Sequence, residues 1–375
     1  MRVVYLNHCA RLSGGELALL RLVTELKGIQ VDVILAEDGP LAIRLASAGA
    51  YVRVLPLDPS AVRIPRHAPL GLGTLATVAQ VARYAVALST ELRRLRPDIV
   101  HTNSLKASVY GSLAARLART PLVWHQRDRL ADDYMPALPA AAVRLLARRW
   151  PDAIIANSEA TLHTMGPARQ LRAVIPSPVP LAKHARIRHQ ARIFASLGRL
   201  APWKGQDLFL RAFAEAFPEG EERALVVGGP LFGEEDYAQA LKHLAKELGL
   251  SHRVHFTGFR EDVEEALSQA DVLVHTSTIP EPFGQAIVQG MALGMPVIAS
   301  DAGGPREIIE HGETGLLYTL GDVACLAALM KELAGNDALV RRLGGAALER
   351  SYHYAPDRIA SRIMRVYSEV LDSAQ

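Results

Sequence analysis

Short apolar, β-branched runs alternate with longer helical segments along nearly the whole chain, and this alternation restricts the fold more than any other feature. It is typical of α/β proteins with mainly parallel, doubly wound sheets. The predicted strands are residues 3–6, 31–36, 51–55, 98–101, 121–125, 153–156, 192–197, 224–227, 254–256, 272–275, 296–299 and 315–318. The predicted helices are residues 15–26, 41–48, 70–95, 106–118, 137–149, 207–217, 236–248, 263–268, 285–293, 323–334 and 337–349, with an amphipathic segment after residue 356.

A proline-rich break divides this alternation into two halves. Pro176, Pro178 and Pro180 precede a polar, basic run that ends at Arg192, after which strands and helices alternate again. Such segments are typical of domain linkers. Two similar α/β domains imply a central cleft that both face, and clefts of this kind are preferred ligand sites. The predicted parts are an N-terminal domain over 1–180, a linker over 181–191, a C-terminal domain over 192–353 and a helical tail over 354–375 that could pack back on the first domain.

The composition fits a globular protein with sizeable cores, since 49% of the residues are hydrophobic and 22% are charged. Cys9 and Cys325 neither form a disulfide framework nor match a zinc spacing, which favours a reducing cytoplasm. The apolar stretch 68–88 is interrupted by Gln80 and Arg83, so we expect a buried or surface-docked amphipathic helix there and no transmembrane span. The first residues are expected to form a strand and not a signal peptide.

Basic residues are concentrated in the first half of the chain. Residues 1–190 contain 25 Lys and Arg against 13 Asp and Glu, whereas the remainder contains 17 against 26. A basic half could attract an anionic membrane surface or a phosphorylated acceptor, or it could be a solvated surface with no partner. No nucleic acid is expected as a partner, because the basic residues are dispersed and no nucleic-acid motif accompanies them.

The first candidate site is the loop after the first strand, where Ser13, Gly14 and Gly15 precede Glu16. Ligands of doubly wound sheets bind at the carboxyl ends of strands, and glycines there let the backbone pass close to a ligand. The loop lacks the G-x-G-x-x-G pattern, which disfavours a nicotinamide dehydrogenase. The alternative is a tight strand–helix turn with Ser13 as its N-cap.

The second candidate site is the loop that leaves the first strand of the second half and contains Arg199 and Lys204. Arginine offers a bidentate fork and lysine a point charge, so the two cations could neutralise a diphosphate. A departing nucleoside diphosphate gains negative charge as its bond to the sugar breaks, and cations stabilise that transition state. Two solvated surface charges are the alternative.

The third candidate site surrounds the start of the helix predicted over 285–293. Glu281 lies in the loop before this helix, and the backbone amides of Phe283, Gly284 and Gln285 would point out of its N-terminus, where the helix dipole favours phosphate. Gln289 lies about one helical turn further on, near the face that carries Gln285.

Together these motifs resemble the family 4 glycosyltransferases, which are retaining enzymes with the GT-B fold of two Rossmann-like domains. Three blocks carry the resemblance: S-G-G-E at 13–16, G-R-L-x-x-x-K-G at 198–205, and E-P-F-G with P-V-I-A-S-D-A-G-G-P-R-E-I-I over 281–309. V-G-G-P at 227–230, F-T-G-F at 256–259 and G-x-T-G-L-L at 312–317 match as well. The expected fold is therefore α/β of the GT-B type.

The resemblance implies a role for each matching residue of the second half. Arg199 and Lys204 would hold the donor diphosphate, Glu281 would contact the transferred sugar, and Phe259 and Arg260 would lie near the nucleobase. The remaining donor-binding residues would be Gly14, Gly15, Gly228, Phe283, Gly284, Gln285 and Gln289.

In the first half, W-H-Q-R-D at 124–128 resembles the acceptor-side block of the family. His125 would sit over the reacting sugar, whereas without the resemblance it would be a hydrogen-bonded histidine at a strand end. Asn103, Arg127 and Asp128 would be acceptor-side residues. With His125, the expected catalytic set is completed by Arg199, Lys204 and Glu281.

One position departs from the family pattern. The family usually has a second glutamate eight positions after the first, which binds the ribose hydroxyls, and this chain has Gln289 there. An amide can bond the same hydroxyls without charge assistance, at a cost of ~1–2 kcal/mol or about tenfold in donor affinity. No D-x-D pair flanks a predicted strand, so no metal and no cofactor are expected besides the nucleoside-diphosphate sugar as co-substrate.

The resulting hypothesis is retaining transfer of a hexose-type sugar from a UDP or GDP sugar to a hydroxyl acceptor, through a front-face, oxocarbenium-like path. The acceptor could be a glycolipid, a polysaccharide precursor or a natural product. A catalytically silent GT-B binding subunit and another sugar-nucleotide enzyme of the same fold, such as an epimerase, are the alternatives. A cytoplasmic location is expected, with peripheral attachment to the inner membrane face left open.

Overall fold

The computed structural model describes residues 1–58, 72–231 and 233–373, with the backbone alone for 72–77. The chain forms two compact units. Unit 1 is Met1–Pro178 with Pro356–Gln375, and unit 2 is Val179–Ala355. The predicted helix start near residue 70, and part of the apolar stretch 68–88, lie outside the described residues.

Unit 1 is built on a parallel sheet of seven strands in its described part, in the order β3-β2-β1-β4-β5-β6-β7. The strands are β1 Arg2–Asn7, β2 Gln30–Leu35, β3 Tyr51–Val54, β4 Ile99–Thr102, β5 Leu122–Gln126, β6 Ala153–Ala156 and β7 Leu171–Val174. Its first helices are α1 Gly14–Glu25, α2 Pro40–Ser47, α3 Leu72–Leu95, α4 Leu105–Ala118, α5 Ala137–Ala147 and α6 Glu159–Thr164. The short elements β7 and α6 were not predicted, since neither carries a strong periodic pattern.

Unit 2 repeats this architecture with a parallel sheet of six strands in its described part, in the order β10-β9-β8-β11-β12-β13. The strands are β8 Ile193–Leu197, β9 Arg223–Val227, β10 Val254–Gly258, β11 Val272–His275, β12 Val297–Ser300 and β13 Leu316–Tyr318. The helices are α7 Gln206–Ala216, α8 Glu235–Glu247, α9 Val263–Ala266, α10 Gln285–Ala292, α11 Pro305–Ile308, α12 Val323–Ala334 and α13 Asp337–Ser351, with 3₁₀ turns at Pro202–Lys204 and Tyr352–Tyr354. The two Rossmann-like α/β units confirm the predicted fold class.

The strand order of each parallel sheet determines which loops lie next to each other. In unit 1, β1 lies between β2 and β4, and β4 pairs with β5, so the loops after β1, β4 and β5 lie side by side. In unit 2, β8 pairs with β11 and β11 with β12, which brings together the loops after those three strands. Most candidate site residues follow these strands, as expected for α/β proteins. His125 lies on β5 itself, Gln289 lies within α10, and Gly228, Phe259 and Arg260 follow β9 and β10.

The C-terminal helix α14, Pro356–Ser373, packs on unit 1. Its buried residues Ile359, Ile363, Val366 and Val370 are spaced four, three and four apart and so form one face of the helix. They join the core that contains side chains of β1, β2 and α1. Arg362 adds a hydrogen bond to the carbonyl oxygen of Val174. The tail therefore contributes to the hydrophobic core of unit 1.

Residues 181–191, predicted as a linker, contain no helix or strand and belong to unit 2. Arg188 is buried there and donates through Nε to the carbonyl oxygen of Ala270 at 2.7 Å. Its guanidinium also donates to the carbonyl oxygen of Arg186 at 2.9 Å. These bonds attach the segment to unit 2 because a buried guanidinium requires acceptors. Among the described helices, none is long and apolar enough to cross a bilayer.

Candidate functional site

Lys204 and Glu281 form a largely buried ion pair at the carboxyl edge of the unit 2 sheet. Lys204 Nζ lies 2.9 Å from Glu281 Oε1 and 2.8 Å from Oε2. The 3₁₀ turn that carries Lys204 ends at Gly205, whose φ is 65° and where a Cβ atom would lie 2.1 Å from the carbonyl oxygen of Thr276. Only glycine allows this close approach, which brings Lys204 to the loop after β11.

Two further side chains complete the surroundings of the Glu281 carboxylate. The Ser277 hydroxyl donates to Oε2 at 2.6 Å, and His275 Nε2 lies 3.4 Å from the same oxygen. Burial alone would raise the pKa of the Glu281 carboxyl, but the charge of Lys204 and the contacts with His275 hold that pKa well below its ordinary value of 4.5. The depressed pKa keeps Glu281 ionised at neutral pH. We call Lys204, Glu281, Ser277, His275 and Trp203 the Lys204 cluster.

Trp203 brings the two predicted diphosphate-binding cations together. Lys204 Nζ lies 4.2 Å from the centre of the Trp203 ring, and Arg199 Cζ lies 5.9 Å from it. Arg199 NH1 is also 3.3 Å from Glu234 Oε1. A cation over an indole face is stabilised by the ring quadrupole, so Trp203 provides a common contact for both charges. The structure thus places Arg199 and Lys204 on one surface, as the sequence predicted.

The region predicted to lie near the nucleobase adjoins the Arg199 loop. Gly228 has a φ of 142°, and a Cβ atom there would lie 1.8 Å from the carbonyl oxygen of Gly198. Phe259 is 64% exposed, an unusual state for a phenylalanine, and its backbone nitrogen lies near Gly229. Arg260 is exposed beside it. An exposed aromatic ring next to close-packed glycines is a suitable surface for a planar base to stack on.

Helix α10 starts directly after Gly284, which occupies its N-cap position. The Phe283 side chain is buried in the core and packs on Tyr354, with ring centres 5.8 Å apart, which leaves only its backbone for a contact at the helix start. Gln285 and Gln289 are half-buried and four residues apart, on one side of the helix. The structure thus places the predicted amides at the start of α10, after the Glu281 loop, and both glutamines on that helix.

In unit 1, His125 lies on β5 and is fully buried. Its Nδ1 atom is 3.1 Å from His101 Nε2, while its Nε2 atom is buried without a hydrogen-bond partner in the described structure. Burial lowers the pKa of His125 well below its ordinary range, and the charge of Arg127 acts in the same direction. His125 is therefore a neutral imidazole with one unused nitrogen.

Arg127 connects the predicted acceptor-side residues. It donates through Nε to Asn103 Oδ1 at 3.0 Å and through NH1 to the Ser177 hydroxyl at 2.8 Å. Asn103 in turn donates to Asn7 Oδ1 and to the carbonyl oxygen of Gly15, both at 3.2 Å. Burial lowers the pKa of Arg127 to about 10, so it remains a cation at neutral pH. Arg127 NH2 is buried with no hydrogen-bond partner among the described residues.

The first glycine loop joins the same network. Ser13 occupies the N-cap position of α1 but makes no side-chain cap; its hydroxyl donates to Glu16 Oε2. Glu16 also accepts from Asn7 Nδ2 at 3.1 Å, and burial raises the pKa of its carboxyl. Gly14 is exposed as the first residue of α1, whereas Gly15 lies against the Arg127 side chain. Both glycines were predicted to bind the donor. Within unit 1, Gly15 contacts Asn103 and Arg127, which were predicted to serve the acceptor.

Asp128 forms a separate contact beside this network. It accepts from the Tyr134 hydroxyl at 2.7 Å, and its backbone carbonyl accepts from Gln126 Nε2. These bonds hold the loop after β5 in place. The nearby charge of Asp128 also acts to raise the pKa of Arg127, against the larger effect of burial.

The sequence analysis missed several residues of the Lys204 cluster in unit 2 and of the surroundings of His125 in unit 1. Trp203, His275 and Ser277 surround Lys204 and Glu281, and His101 contacts His125. His101 and His275 each lie at or next to the end of a buried strand, where a polar residue is a usable signal. Trp203 and Ser277 carry no such signal, since their role depends on contacts between different loops.

Two parallel-sheet Rossmann-like units, with paired cations and a buried glutamate at the carboxyl edge of the second sheet, define a GT-B glycosyltransferase architecture. Residues 181–350 match the family described as glycosyl transferases group 1, and residues 13–178 match the glycosyl transferase 4-like domain. The chain belongs to the group 1 glycosyltransferases of family 4. This confirms the family predicted from the motifs.

Several proteins are similar to this chain. Anabaena HepE, solved with UDP and glucose, is 28% identical with a TM-score of 0.85, over 98% of this chain and 99% of that protein. A D-inositol 3-phosphate glycosyltransferase of Corynebacterium efficiens is 26% identical over 95% of this chain and 91% of its own. An exopolysaccharide phosphotransferase of Streptomyces coelicolor is 31% identical over 76% of this chain, but the match spans 30% of that longer protein.

The Lys204 cluster predicts how the stability of unit 2 depends on pH. The folded-state pKa of Glu281 is depressed, so the stability it contributes is present above the unfolded value of 4.5 and is lost as the pH falls below it. Glu281→Gln should be less stable at pH 7 by about 3–5 kcal/mol, because Lys204 loses its partner. Its further loss of stability on acidification should be smaller than that of the wild type, by at most about 1.4 kcal/mol per pH unit.

Urea unfolding between pH 7 and pH 3 measures this difference, with fluorescence of Trp203, the one tryptophan in the sequence of unit 2. Glu247→Gln is the matched control, because this carboxylate is exposed and pairs with His243 on the helix surface. The control should keep the wild-type pH dependence. An equally steep dependence in the Glu281→Gln variant would contradict the assignment.

Proposed function

We propose that this protein transfers a hexose-type sugar, with retention of configuration, from a nucleoside-diphosphate sugar to a hydroxyl group of an acceptor. The observation that carries the proposal is the Lys204–Glu281 ion pair, held beside Arg199 and followed by the start of α10. A lysine, an arginine and a helix start offer three sources of positive potential to a diphosphate. Membership of the group 1 glycosyltransferases supports the reaction class.

Each group of the proposed donor site has a task suited to its chemistry. Arg199 and Lys204 stabilise the charge that develops on the departing diphosphate. The amides of Phe283, Gly284 and Gln285 contact the β-phosphate and the sugar. With these groups supplying the positive charge, the proposed reaction needs no metal and no cofactor besides the sugar nucleotide.

Glu281 is proposed to orient the sugar hydroxyls and not to act as a nucleophile. Both of its carboxylate oxygens accept hydrogen bonds, and its depressed pKa makes it a weak base. A weakly basic, fully engaged carboxylate is a poor nucleophile. This supports a front-face path through an oxocarbenium-like transition state, in which retention arises without a covalent sugar–enzyme intermediate.

The residues of unit 1 receive their proposed roles from the family resemblance and their contacts. His125 is proposed to lie over the transferred sugar and to form a hydrogen bond with one of its oxygens. Asn103, Arg127 and Asp128 serve the acceptor, and the buried, partly unbonded guanidinium of Arg127 favours an acceptor with a hydroxyl-rich or anionic group near the reacting oxygen. A glycolipid, a polysaccharide precursor or a phosphorylated small molecule fits this description.

UDP is the proposed nucleotide. HepE, which is 28% identical to this chain over nearly its whole length, was solved with UDP-glucose. The exposed Phe259 ring and the neighbouring Arg260 are proposed to contact the base, and Gly14, Gly15 and Gly228 to give the donor close access to the backbone. Gln289 is proposed to bond the ribose hydroxyls from α10.

A helix of unit 1 has a surface suited to an anionic membrane. On α5, Leu138 and Leu145 are 70% and 52% exposed and lie seven residues apart, so they share one face. Arg148 and Arg149 follow directly and are exposed. Apolar side chains beside arginines are typical of helices that lie at the interface of an anionic bilayer. We propose that this face binds the inner membrane surface from the cytoplasm.

A catalytically silent binding subunit is the second candidate function, and Gln289 in place of the family's glutamate is the observation in its favour. The two functions differ in one measurable respect. A transferase should slowly hydrolyse UDP-glucose in the absence of acceptor, whereas a silent subunit should bind it without releasing UDP.

Replacement of Lys204 tests the donor site. Lys204→Met should lower transfer by roughly 10²–10³-fold, because one source of transition-state stabilisation is lost. It should also lower the melting temperature, because Glu281 keeps an unpaired buried charge. The double variant Lys204→Met with Glu281→Gln should recover the melting temperature, yet UDP-glucose should no longer raise it. Lys246→Met, at an exposed lysine of α8, is the control, and near-normal transfer by Lys204→Met would exclude the proposed role.

Restoration of the family's glutamate tests the ribose contact. Gln289→Glu should raise the affinity for UDP about tenfold, because charge-assisted hydrogen bonds to hydroxyls replace neutral ones. Titration calorimetry with UDP measures the change. Gln239→Glu adds the same charge at an exposed position of α8 and should leave the affinity unaltered. An unchanged or weaker affinity in Gln289→Glu would place the ribose elsewhere.

Vesicle binding tests the membrane surface. The wild type should co-sediment with phosphatidylglycerol vesicles at low salt and lose binding as salt is added, because screening weakens the attraction. Leu138→Glu with Leu145→Glu should abolish binding. Ile43→Glu, at an exposed isoleucine of α2, should retain it. If the wild type does not bind anionic vesicles at low salt, the membrane proposal is wrong and a freely diffusing acceptor is favoured.

A further inference from the structure

Four buried side chains of unit 1 form a continuous hydrogen-bonded chain that ends at His125. The Tyr5 hydroxyl lies 2.5 Å from the Tyr367 hydroxyl, which lies 2.7 Å from His101 Nδ1. His101 Nε2 lies 3.1 Å from His125 Nδ1. All four residues are completely buried. We call Tyr5, Tyr367, His101 and His125 the His125 relay.

The relay is held by secondary structure on every side. Tyr5 and His101 are register partners on β1 and β4, with ring centres 4.5 Å apart, and His125 lies on the neighbouring β5. Tyr367 reaches them from α14, which belongs to the same unit. Because the partners are fixed by two strand pairings and a packed helix, only the positions of the protons remain variable.

All members of the relay are neutral at physiological pH. Burial lowers the pKa values of His101 and His125 well below their ordinary range, and the nearby charge of Arg127 acts in the same direction. Burial raises the pKa values of Tyr5 and Tyr367. Each neutral imidazole carries one N–H. The three hydrogen bonds of the relay can therefore all form in only two arrangements of the protons.

In the first arrangement every proton points toward His125. Tyr5 donates to Tyr367, Tyr367 donates to His101 Nδ1, and His101 Nε2–H donates to His125 Nδ1. His125 then carries its proton on Nε2. This arrangement uses both tyrosine protons in hydrogen bonds, and its one free donor, His125 Nε2–H, belongs to the proposed reaction site, where a ligand oxygen can accept it.

In the second arrangement every proton points away from His125. His125 Nδ1–H donates to His101, His101 donates to Tyr367, and Tyr367 donates to Tyr5. The Tyr5 hydroxyl proton then has no acceptor, because Tyr367 is the sole hydrogen-bond partner of that hydroxyl in the described structure. An unsatisfied donor deep in a core is strongly unfavourable. The first arrangement also leaves one buried donor, His125 Nε2–H, but that donor belongs to the proposed reaction site. In addition, both imidazoles then carry their proton on Nε2, the nitrogen that a neutral histidine side chain protonates by preference. The first arrangement is therefore the favoured one.

We propose that Tyr367 and His101 are positioning residues that hold His125 as the Nε2–H tautomer, so that His125 acts as a hydrogen-bond donor and not as a base. The ligand atom it serves is an oxygen acceptor, and the identification of that oxygen with the transferred sugar rests on the proposed function. The C-terminal helix α14 thus contributes the Tyr367 hydroxyl to the site.

The tautomer itself can be measured without any substrate. The full chain is labelled with ¹⁵N-histidine, and long-range ¹H–¹⁵N spectra distinguish protonated from unprotonated ring nitrogens. The His125 signals are assigned by their absence in His125→Gln. The wild type should show a protonated Nε2 and an unprotonated Nδ1, and Tyr5→Phe should show the same tautomer, since Tyr367 keeps its acceptor on His101. A protonated Nδ1 in the wild type, or a change of tautomer in Tyr5→Phe, would overturn the proposal.

The contribution to catalysis is tested by a matched pair at His101. A glutamine at position 101 can replace both hydrogen bonds of the histidine, because its oxygen accepts from Tyr367 while its amide donates to His125 Nδ1. Leucine keeps the bulk and removes both bonds. His101→Leu should lower the turnover number about tenfold, whereas His101→Gln should retain most of it. Tyr110→Phe, at a buried tyrosine of unit 1 that packs on Tyr84, is the control and should have wild-type turnover.

The two experiments separate the relay from the proposed function. Transfer activity with a protonated His125 Nδ1 would overturn the relay alone. An Nε2–H tautomer in a chain that neither binds nor turns over UDP-glucose would support the relay and refute the proposed function. If His101→Leu and His101→Gln lose turnover equally while both fold, His101 acts through packing and the positioning role is wrong.

Discussion

The proposed donor site of unit 2 depends on one ion pair, Lys204 with Glu281. Two charges withdrawn from water are stable only when each is compensated at short distance, and here the lysine contacts both carboxylate oxygens while Ser277 donates to one of them. The pair therefore fixes two loops of unit 2 relative to each other. The same contacts keep Glu281 charged and leave Lys204 against the Trp203 ring, next to Arg199.

The candidate sites of the two units differ in their electrostatics. Unit 2 concentrates charge, with cations on one aromatic ring and an anion of depressed pKa beside them. Unit 1 instead buries neutral groups next to one cation, Arg127, whose charge helps to keep His101 and His125 unprotonated. A charged site suits a diphosphate, whereas a neutral imidazole with a fixed proton suits a hydroxyl oxygen. The division agrees with the donor and acceptor roles proposed for the units.

Much of the fold follows from local pattern. The alternation of apolar strands and helices predicted both sheets, and every predicted strand is present within two residues, while the weakly patterned Leu171–Val174 was missed. The proline-rich stretch marked the change from one unit to the other. The attachment of residues 181–191 to unit 2, however, involves bonds from Arg188 to the carbonyl oxygens of Leu267 and Ala270, about 80 residues away in sequence. Such a partner cannot be found from composition.

The sequence by itself determined the fold class and the family, and it pointed to Arg199, Lys204, Glu281 and His125 as candidate site residues, because motif spacing and strand ends are local properties. Only the tertiary structure decided that Lys204 is paired with Glu281, that Trp203 contacts both cations, and that Tyr367 reaches His101 across 266 positions of the chain. The physical reason is that hydrogen bonds and ion pairs act over a few ångströms in space, whereas a sequence pattern records only separation along the chain.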